Sequence, residues 1–290
     1  MLESLLLTLG LLVAAPTTSP NLLGPPPVVY GNYDQVATIT INDDINDNIV
    51  VMVTSQVEAI NKNPKVKAVV LILNTPGGGV IASSIVYEEL SKIKVPVVVW
   101  CEYMCASGGM YIAMAPSVKY IAIRQDTITG SIGVIMQIAR YNRLLNWAKI
   151  DAETYKSGSL KDAGSGTKAG DAAERAYLQS IVNSMAARFY TIVGTSRNIK
   201  DWNAVKSARI FIGDEGIKVG LVDGIMTKDQ VYEKAKELSG YSHLTYNYGP
   251  AVIGPEKNVS TESLNFALEL VKEIKEGSVA RFSYIMPYKF

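Results

Sequence analysis

Two apolar runs, each broken off by glycines, constrain this chain most. V-K-A-V-V-L-I-L (Val66 to Leu73) passes into N-T-P-G-G-G (Asn74 to Gly79), and V-P-V-V-V-W-C (Val95 to Cys101) precedes C-A-S-G-G-M-Y (Cys105 to Tyr111). A short apolar run without alternation suits a strand covered on both faces, the usual state in a parallel sheet. Between the two, Ile81 to Ile93 reads as a helix, and strand–helix–strand order argues for an α/β fold with right-handed crossovers. In such a sheet both glycine turns open at the carboxyl edge, where ligands bind. Glycine there lets backbone N–H groups approach a ligand with no Cβ in the way.

The rest of the chain fits this scheme. V-A-T-I-T-I (Val36 to Ile41) alternates as a strand does. Asp47 to Asn61 reads as an amphipathic helix with Ile49, Val53, Val57 and Ile60 on one stripe. Val118 to Ile123 is a further strand, and T-G-S-I-G-V (Thr129 to Val134) a glycine-punctuated turn running into another. A long helix is expected over Ala172 to Val193, with Leu178, Ile181, Met185, Phe189 and Ile192 on one face. A-R-I-F-I-G (Ala208 to Gly213) and G-L-V-D (Gly220 to Asp223) read as a short strand, a helix start and a terminal strand. Near the end, Ser260 caps and Gly277 closes an amphipathic helix through Glu276.

Three parts follow: an apolar arm and Pro-rich linker over residues 1–27, a main domain over 28–240, and a helical extension over 241–290. The arm is short for a bilayer span, which needs ~20 residues. It carries Glu3 where a signal peptide has basic residues. Membrane anchor, atypical signal and arm packed on a partner subunit stay open; association with a membrane through residues 2–15 is the reading carried forward. The terminal R-F-S-Y-I-M-P-Y-K-F is apolar and extended, a candidate for self-processing or for occupying the site.

Composition removes several chemistries. A net charge of +1 gives no case for nucleic acid as the main partner, with a local basic patch left open. Two cysteines and one histidine offer neither a zinc cluster nor a disulfide framework. Cys101 and Cys105 read as small hydrophobes, with a local bridge left open, and no metal or cofactor is expected. His243, in a polar connector, reads as solvated, so a histidine triad is effectively unavailable. Ser107 in C-A-S-G-G, taken alone, reads as a helix cap; as a nucleophile it needs a base. Lysine is the natural substitute when burial favours its neutral form. Y-K-S-G-S-L-K-D offers Lys156 and Lys161. Two amides from the glycine turns, aimed at one point, would stabilise an oxyanion.

N-T-P-G-G-G-V, C-A-S-G-G-M-Y, T-G-S-I-G-V-I and Y-K-S-G-S-L-K-D, in this order, resemble the signal peptide peptidase A family. A-R-I-F-I-G-D-E-G-I-K-V-G-L-V-D is similar to that family's closing segment, so the likeness spans about residues 36 to 225. The resemblance implies a ClpP/crotonase-like fold, a spiral of β-β-α units. It implies a serine endopeptidase with Ser107 as nucleophile and Lys161 as general base. The amides of Gly78 and Gly108 would form the oxyanion hole, and Ser131 would hold the lysine amine; Lys156 matches a family lysine that is not the base. Thr75, Met110, Ala208 and Gly216 depart from the family's usual residues.

The resemblance further implies extended apolar peptides as substrates, such as cleaved signal peptides. It also implies a homo-oligomeric ring whose dyad is shared between subunits, at a membrane and facing away from the cytoplasm. A viral prohead protease acting in a procapsid is the alternative within the family. A crotonase-like acyl-CoA enzyme is the alternative from another class, although no Glu or Asp lies within the glycine turns.

Overall fold

A computed structural model describes residues 33–246. The expected amino-terminal arm (1–27) and the amphipathic helix at 260–276 lie outside the described residues.

β1 (Gln35–Ile41), β2 (Val66–Thr75) and β3 (Val97–Ala106) pair in parallel at the centre of the sheet. β2 is buried on both sides. Val69, Leu71 and Leu73 face one core cluster, while Ala68, Val70 and Ile72 face the other. This two-sided burial explains the unalternating run in the sequence. On the first side pack α1 (Asp47–Lys62), α2 (Val80–Ser91) and α3 (Gly108–Ala113). α1 presents Val53, Val57 and Ile60 to the core and is capped by the Asn46 side chain, which accepts from the Asn48 and Ile49 amides. The Ile49–Ile60 stripe read from the sequence is therefore the packed face.

β3 has an irregularity that matters for the site. Leu73 pairs with Cys101 but Thr75 with Cys105, so β3 holds extra residues against β2. Before this bulge β3 pairs with β4 (Val118–Ile123); after it, with β5 (Ile128–Gly130). The bulge hands β3 from one neighbour to another and turns its end toward the T-G-S segment, in keeping with a β-bulge's role of re-aiming a strand. The parallel central sheet with covering helices agrees with the expected ClpP/crotonase-like fold.

Beyond β5 the chain leaves the core. The strand expected after the T-G-S turn does not form: residues 131–141 lie outside any strand pair, and of them only Ile132 is buried in the core. They lead through the short α4 (Asn142–Trp147) to the long α5 (Ala172–Ser196). Only Glu174, Phe189 and Val193 of α5 are buried. The expected apolar face of that helix is thus half covered along Leu178, Ile181 and Met185.

The chain then re-enters through α6 (Trp202–Lys206), β6 (Ile210–Ile212, antiparallel to β5), α7 (Asp214–Lys218) and β7 (Gly224–Ile225). Gly220 to Asp223 is not the terminal strand expected from G-L-V-D. Gly220 sits at φ 85° and the Gly220 and Leu221 amides close the end of α7, so pairing with β4 starts only at Gly224.

α8 (Lys228–Ser239) covers the second face of the sheet through Val231, Tyr232 and Ala235, and β8 (Thr245–Tyr246) pairs with β1. α8 has a capping box, Thr227 with Gln230, and ends at Gly240. Both signals stand in the sequence, in T-K-D-Q and in S-G. Among the described residues no helix is long and apolar enough to cross a membrane.

Candidate active site

Ser107 occupies the step between β3 and α3 at φ 49°, ψ −117°, a left-handed region that a residue with a Cβ adopts at a cost of about 1–3 kcal/mol. The same backbone turn recurs at Gly213, φ 53°, ψ −122°, at the start of α7. There the position is a glycine. At 107 a serine is kept in spite of the strain. Its hydroxyl makes no capping bond to α3, so Ser107 stands at the helix start without acting as its cap. The Ser107 amide donates to the Gly130 carbonyl at 2.9 Å, and its carbonyl accepts from Tyr111 at 3.0 Å, which fixes the backbone on both sides.

The two glycine turns touch. A methyl group on Gly77 would lie 2.7 Å from the Gly108 nitrogen and 2.8 Å from Ser107 Cβ. One on Gly108 would lie 3.3 Å from the Gly78 nitrogen. One on Gly78 would lie 2.2 Å from the Ile45 carbonyl oxygen. The turn is braced by Thr75, whose hydroxyl accepts from the Gly77 amide and donates to the Gly77 carbonyl. Ile45 completes the brace: its amide donates to Gly77, and its carbonyl accepts from Gly79. The Gly78 and Gly108 amides have no acceptor among the described residues. Two uncommitted amides beside a strained serine form an arrangement able to receive an oxyanion.

Ser131 is brought to the same place by register. Ala106 pairs with Gly130, so Ser107 and Ser131 are the next residues along paired strands. Ser131 is likewise left-handed, at φ 52°, and its amide donates to the Arg209 carbonyl at 2.9 Å. Neither hydroxyl has a hydrogen-bond partner among the described residues.

Lys161 is not joined to these groups within the chain. It lies on the exposed segment between α4 and α5, in tight turns where its amide donates to the Gly158 carbonyl at 3.1 Å. Its amine forms no hydrogen bond or ion pair among the described residues. Lys156 differs: its amine is 2.7 Å from Asp162 Oδ1 and 3.0 Å from the Ser159 carbonyl. Of the two lysines read from Y-K-S-G-S-L-K-D, one is committed to a carboxylate and one is free.

Other nucleophiles are disfavoured. Cys101 and Cys105 are free and fully buried. Burial, and then the hydrogen bond to Cys105, push the Cys101 thiol well above its ordinary range, away from the reactive thiolate. His243 is exposed, as expected. No group of His, Cys, Asp and Glu among the described residues is arranged to hold a metal ion.

A polar knot behind Lys161 went unnoticed in the sequence. Glu174, only 1% exposed, accepts from Arg140 and from the Gly164 amide at 2.9 Å. Lys168 lies 2.9 Å from its second oxygen, an ion pair rather than a well-directed hydrogen bond. These contacts, Arg140 first, then the Gly164 amide and Lys168, hold the Glu174 carboxyl down at about 2. The sequence signal was thin: an Arg and a Glu far apart in the chain, each resembling a surface charge.

The family model for peptidase family S49 matches residues 89–242, and the model for Clp protease matches residues 28–128. The chain is 37% identical over 189 residues to a protein of Methanocaldococcus jannaschii named as a protease, covering 63% of this chain and 60% of the relative. It is also 37% identical to an Enterococcus faecium protein named as signal peptide peptidase SppA, covering 63% and 54%. With protease 4 of Salmonella typhi the identity is 32%, covering 66% of this chain and 32% of the relative. The chain thus spans less than two thirds of the length of each of these relatives. With the S49 model matching more than half of its residues, this chain belongs to peptidase family S49.

Proposed function

We propose that the protein is a serine endopeptidase in which Ser107 and Lys161 act as a dyad supplied by neighbouring copies of the chain. The Ser107 hydroxyl attacks a peptide carbonyl while its proton passes to the neutral Lys161 amine. The amides of Gly78 and Gly108 receive the oxyanion, at about 3–4 kcal/mol for each donor. The tetrahedral species then collapses: the C–N bond breaks, Lys161 returns the proton to the leaving amine, and an acyl-enzyme remains on Ser107. Water, deprotonated by Lys161, releases the acid. Ser131 holds the lysine amine in line. Substrates are extended, apolar peptides such as cleaved signal peptides, and residues 2–15 associate the protein with a membrane, its active domain outside the cytoplasm.

One observation carries this reading: a serine kept in a strained left-handed turn, where its Cβ abuts a second glycine turn, with the amides of Gly78 and Gly108 free beside it. Backbone strain retained at a non-glycine residue is a mark of function. The uncommitted amine of Lys161, against the committed one of Lys156, supports Lys161 as base. The exposed apolar residues of the segment that carries Lys161 support the sharing between copies. Trp147 is 81% and Tyr155 91% exposed.

Cleavage of an unstructured apolar peptide tests the dyad. Ser107→Ala and Lys161→Ala are each expected to abolish turnover with assembly unchanged, whereas Lys156→Ala is expected to lower it without abolishing it. Full activity in Lys161→Ala would sink the lysine base.

A further inference from the structure

We infer that Glu174, with Arg140, is a positioning residue for the base: a buried ion knot that fixes the loop presenting Lys161. This rests on the dyad reading above.

Lys161 is held from both directions along the chain, although its own amine is free. The next residue, Asp162, is gripped by Lys156 at 2.7 Å and by Lys168 at 2.8 Å. Three residues on, the Gly164 amide donates to Glu174 Oε1 at 2.9 Å. Lys168 bridges the two carboxylates, since it also stands 2.9 Å from Glu174 Oε2. Arg140 closes the knot from the opposite strand of the loop. One of its nitrogens reaches Glu174 Oε1, and the other donates to the Ser165 and Lys168 carbonyls at 3.1 and 3.0 Å. Space enforces the same fit. A methyl on Gly170 would lie 2.4 Å from the Arg140 guanidinium, and one on Gly166 would lie 2.3 Å from the Tyr141 ring.

Apart from Ile132 and Gly164 the rest of this segment is half-buried or exposed, so little apolar packing could hold the loop instead. Glu174 is the one residue in the first four turns of α5 that is buried. A carboxylate taken out of water is tolerated only when its donors are in place, and removing one partner leaves the others uncompensated. The knot therefore has one settled geometry. Arg140, Lys156 and Lys168 answer the charges of Glu174 and Asp162, and the amine of Lys161, beside this knot, is left uncommitted among the described residues. Positioning matters to this degree because a shift of about 1 Å in a reacting group can cost up to a hundredfold in rate.

The full-length assembled protein is assayed on an unstructured apolar peptide, with turnover expressed per Ser107 titrated by a fluorophosphonate. Glu174→Gln is expected to lower titrated kcat between roughly ten- and a hundredfold, with KM changed by less than about twofold. Arg140→Lys, which keeps the charge but not the forked geometry, should fall between Glu174→Gln and the wild type. If Glu174→Gln does not assemble, Arg140→Lys and Lys168→Gln are read in its place. Titrated kcat equal to wild type, with loss confined to the fraction of folded protein, would overturn the inference while Lys161→Ala remains inactive. Activity in Lys161→Ala would overturn the base assignment, and this inference with it.

Discussion

The Ser107 amide donates to the Gly130 carbonyl at 2.9 Å, and this bond ties the end of β3 to the end of β5 at the point where both chains enter left-handed conformations. Ser107 and Ser131 follow the paired Ala106 and Gly130, so one register sets both hydroxyls. The sheet, through the bulge in β3, does the positioning that a helix or loop would do less rigidly.

If strain at Ser107 is retained for chemistry, relieving it should raise stability and end activity. Ser107→Gly removes the Cβ that makes φ 49° costly. An increase of about 1 kcal/mol in unfolding free energy is expected from guanidinium titration, together with complete loss of peptide cleavage. A stability equal to or below that of the wild type would contradict the strain.

Gly78→Ala should fail for the opposite reason. The added methyl would meet the Ile45 carbonyl oxygen at 2.2 Å, in a backbone conformation that L side chains rarely adopt. A loss of about 2–4 kcal/mol is expected, from conformational strain plus overpacking. A variant as stable as the wild type would show that this turn is not held against Ile45.

Acid should loosen the segment that carries Lys161. Glu174 is held at about 2, by Arg140 above all, and Asp162 at about 2, by Lys156 and then Lys168. Both lie below their ordinary values of 4.5 and 3.8, so they stabilise the fold at higher pH, and that contribution is lost as pH falls toward about 2. Urea midpoints measured from pH 5 downward should fall for the wild type and fall less steeply in Glu174→Gln, where Asp162 alone still titrates. Parallel curves would rule out a role for the knot in acid stability.

Much of the central sheet was legible because its physics is local. Val66–Leu73 is unalternating since both faces are buried, and α1 shows its stripe because only one of its faces is. The bulge in β3 was not legible, because it exists only against the register of β2. Nor was the failure of residues 131–141 to form a strand, since T-G-S-I-G-V carries strand-forming residues but lacks a neighbour to pair with. α8 is legible from its caps, since Thr227 and Gln230 spell its start and Gly240 its end. At the candidate site, Ser107 alone reads as a helix cap and stands out only together with the glycine turns, whereas the difference between Lys156 and Lys161 depends on where Asp162 points. Arg140 and Glu174 gave no warning, because their burial is a property of the folded loop.

The exposed apolar residues of the segment between β5 and α5 should be covered in the active species. Ile135, Trp147 and Tyr155 are 71%, 81% and 91% exposed in the single chain. Large apolar side chains left exposed along one segment in this way suit an interface. Trp147→Glu combined with Tyr155→Glu is expected to yield folded monomers by light scattering, without activity. Monomers that cleave peptide at the wild-type rate would exclude a shared site.

The dyad itself is tested most directly by mixing its two inactive halves. Ser107→Ala and Lys161→Ala chains, co-expressed so that they assemble together, should regain activity. With random placement about a quarter of the sites would pair an intact Ser107 with an intact Lys161 from the neighbouring copy. Recovery toward that fraction is the expected result. Mixed assemblies with no activity above the two parents would contradict a Ser107–Lys161 site built between subunits.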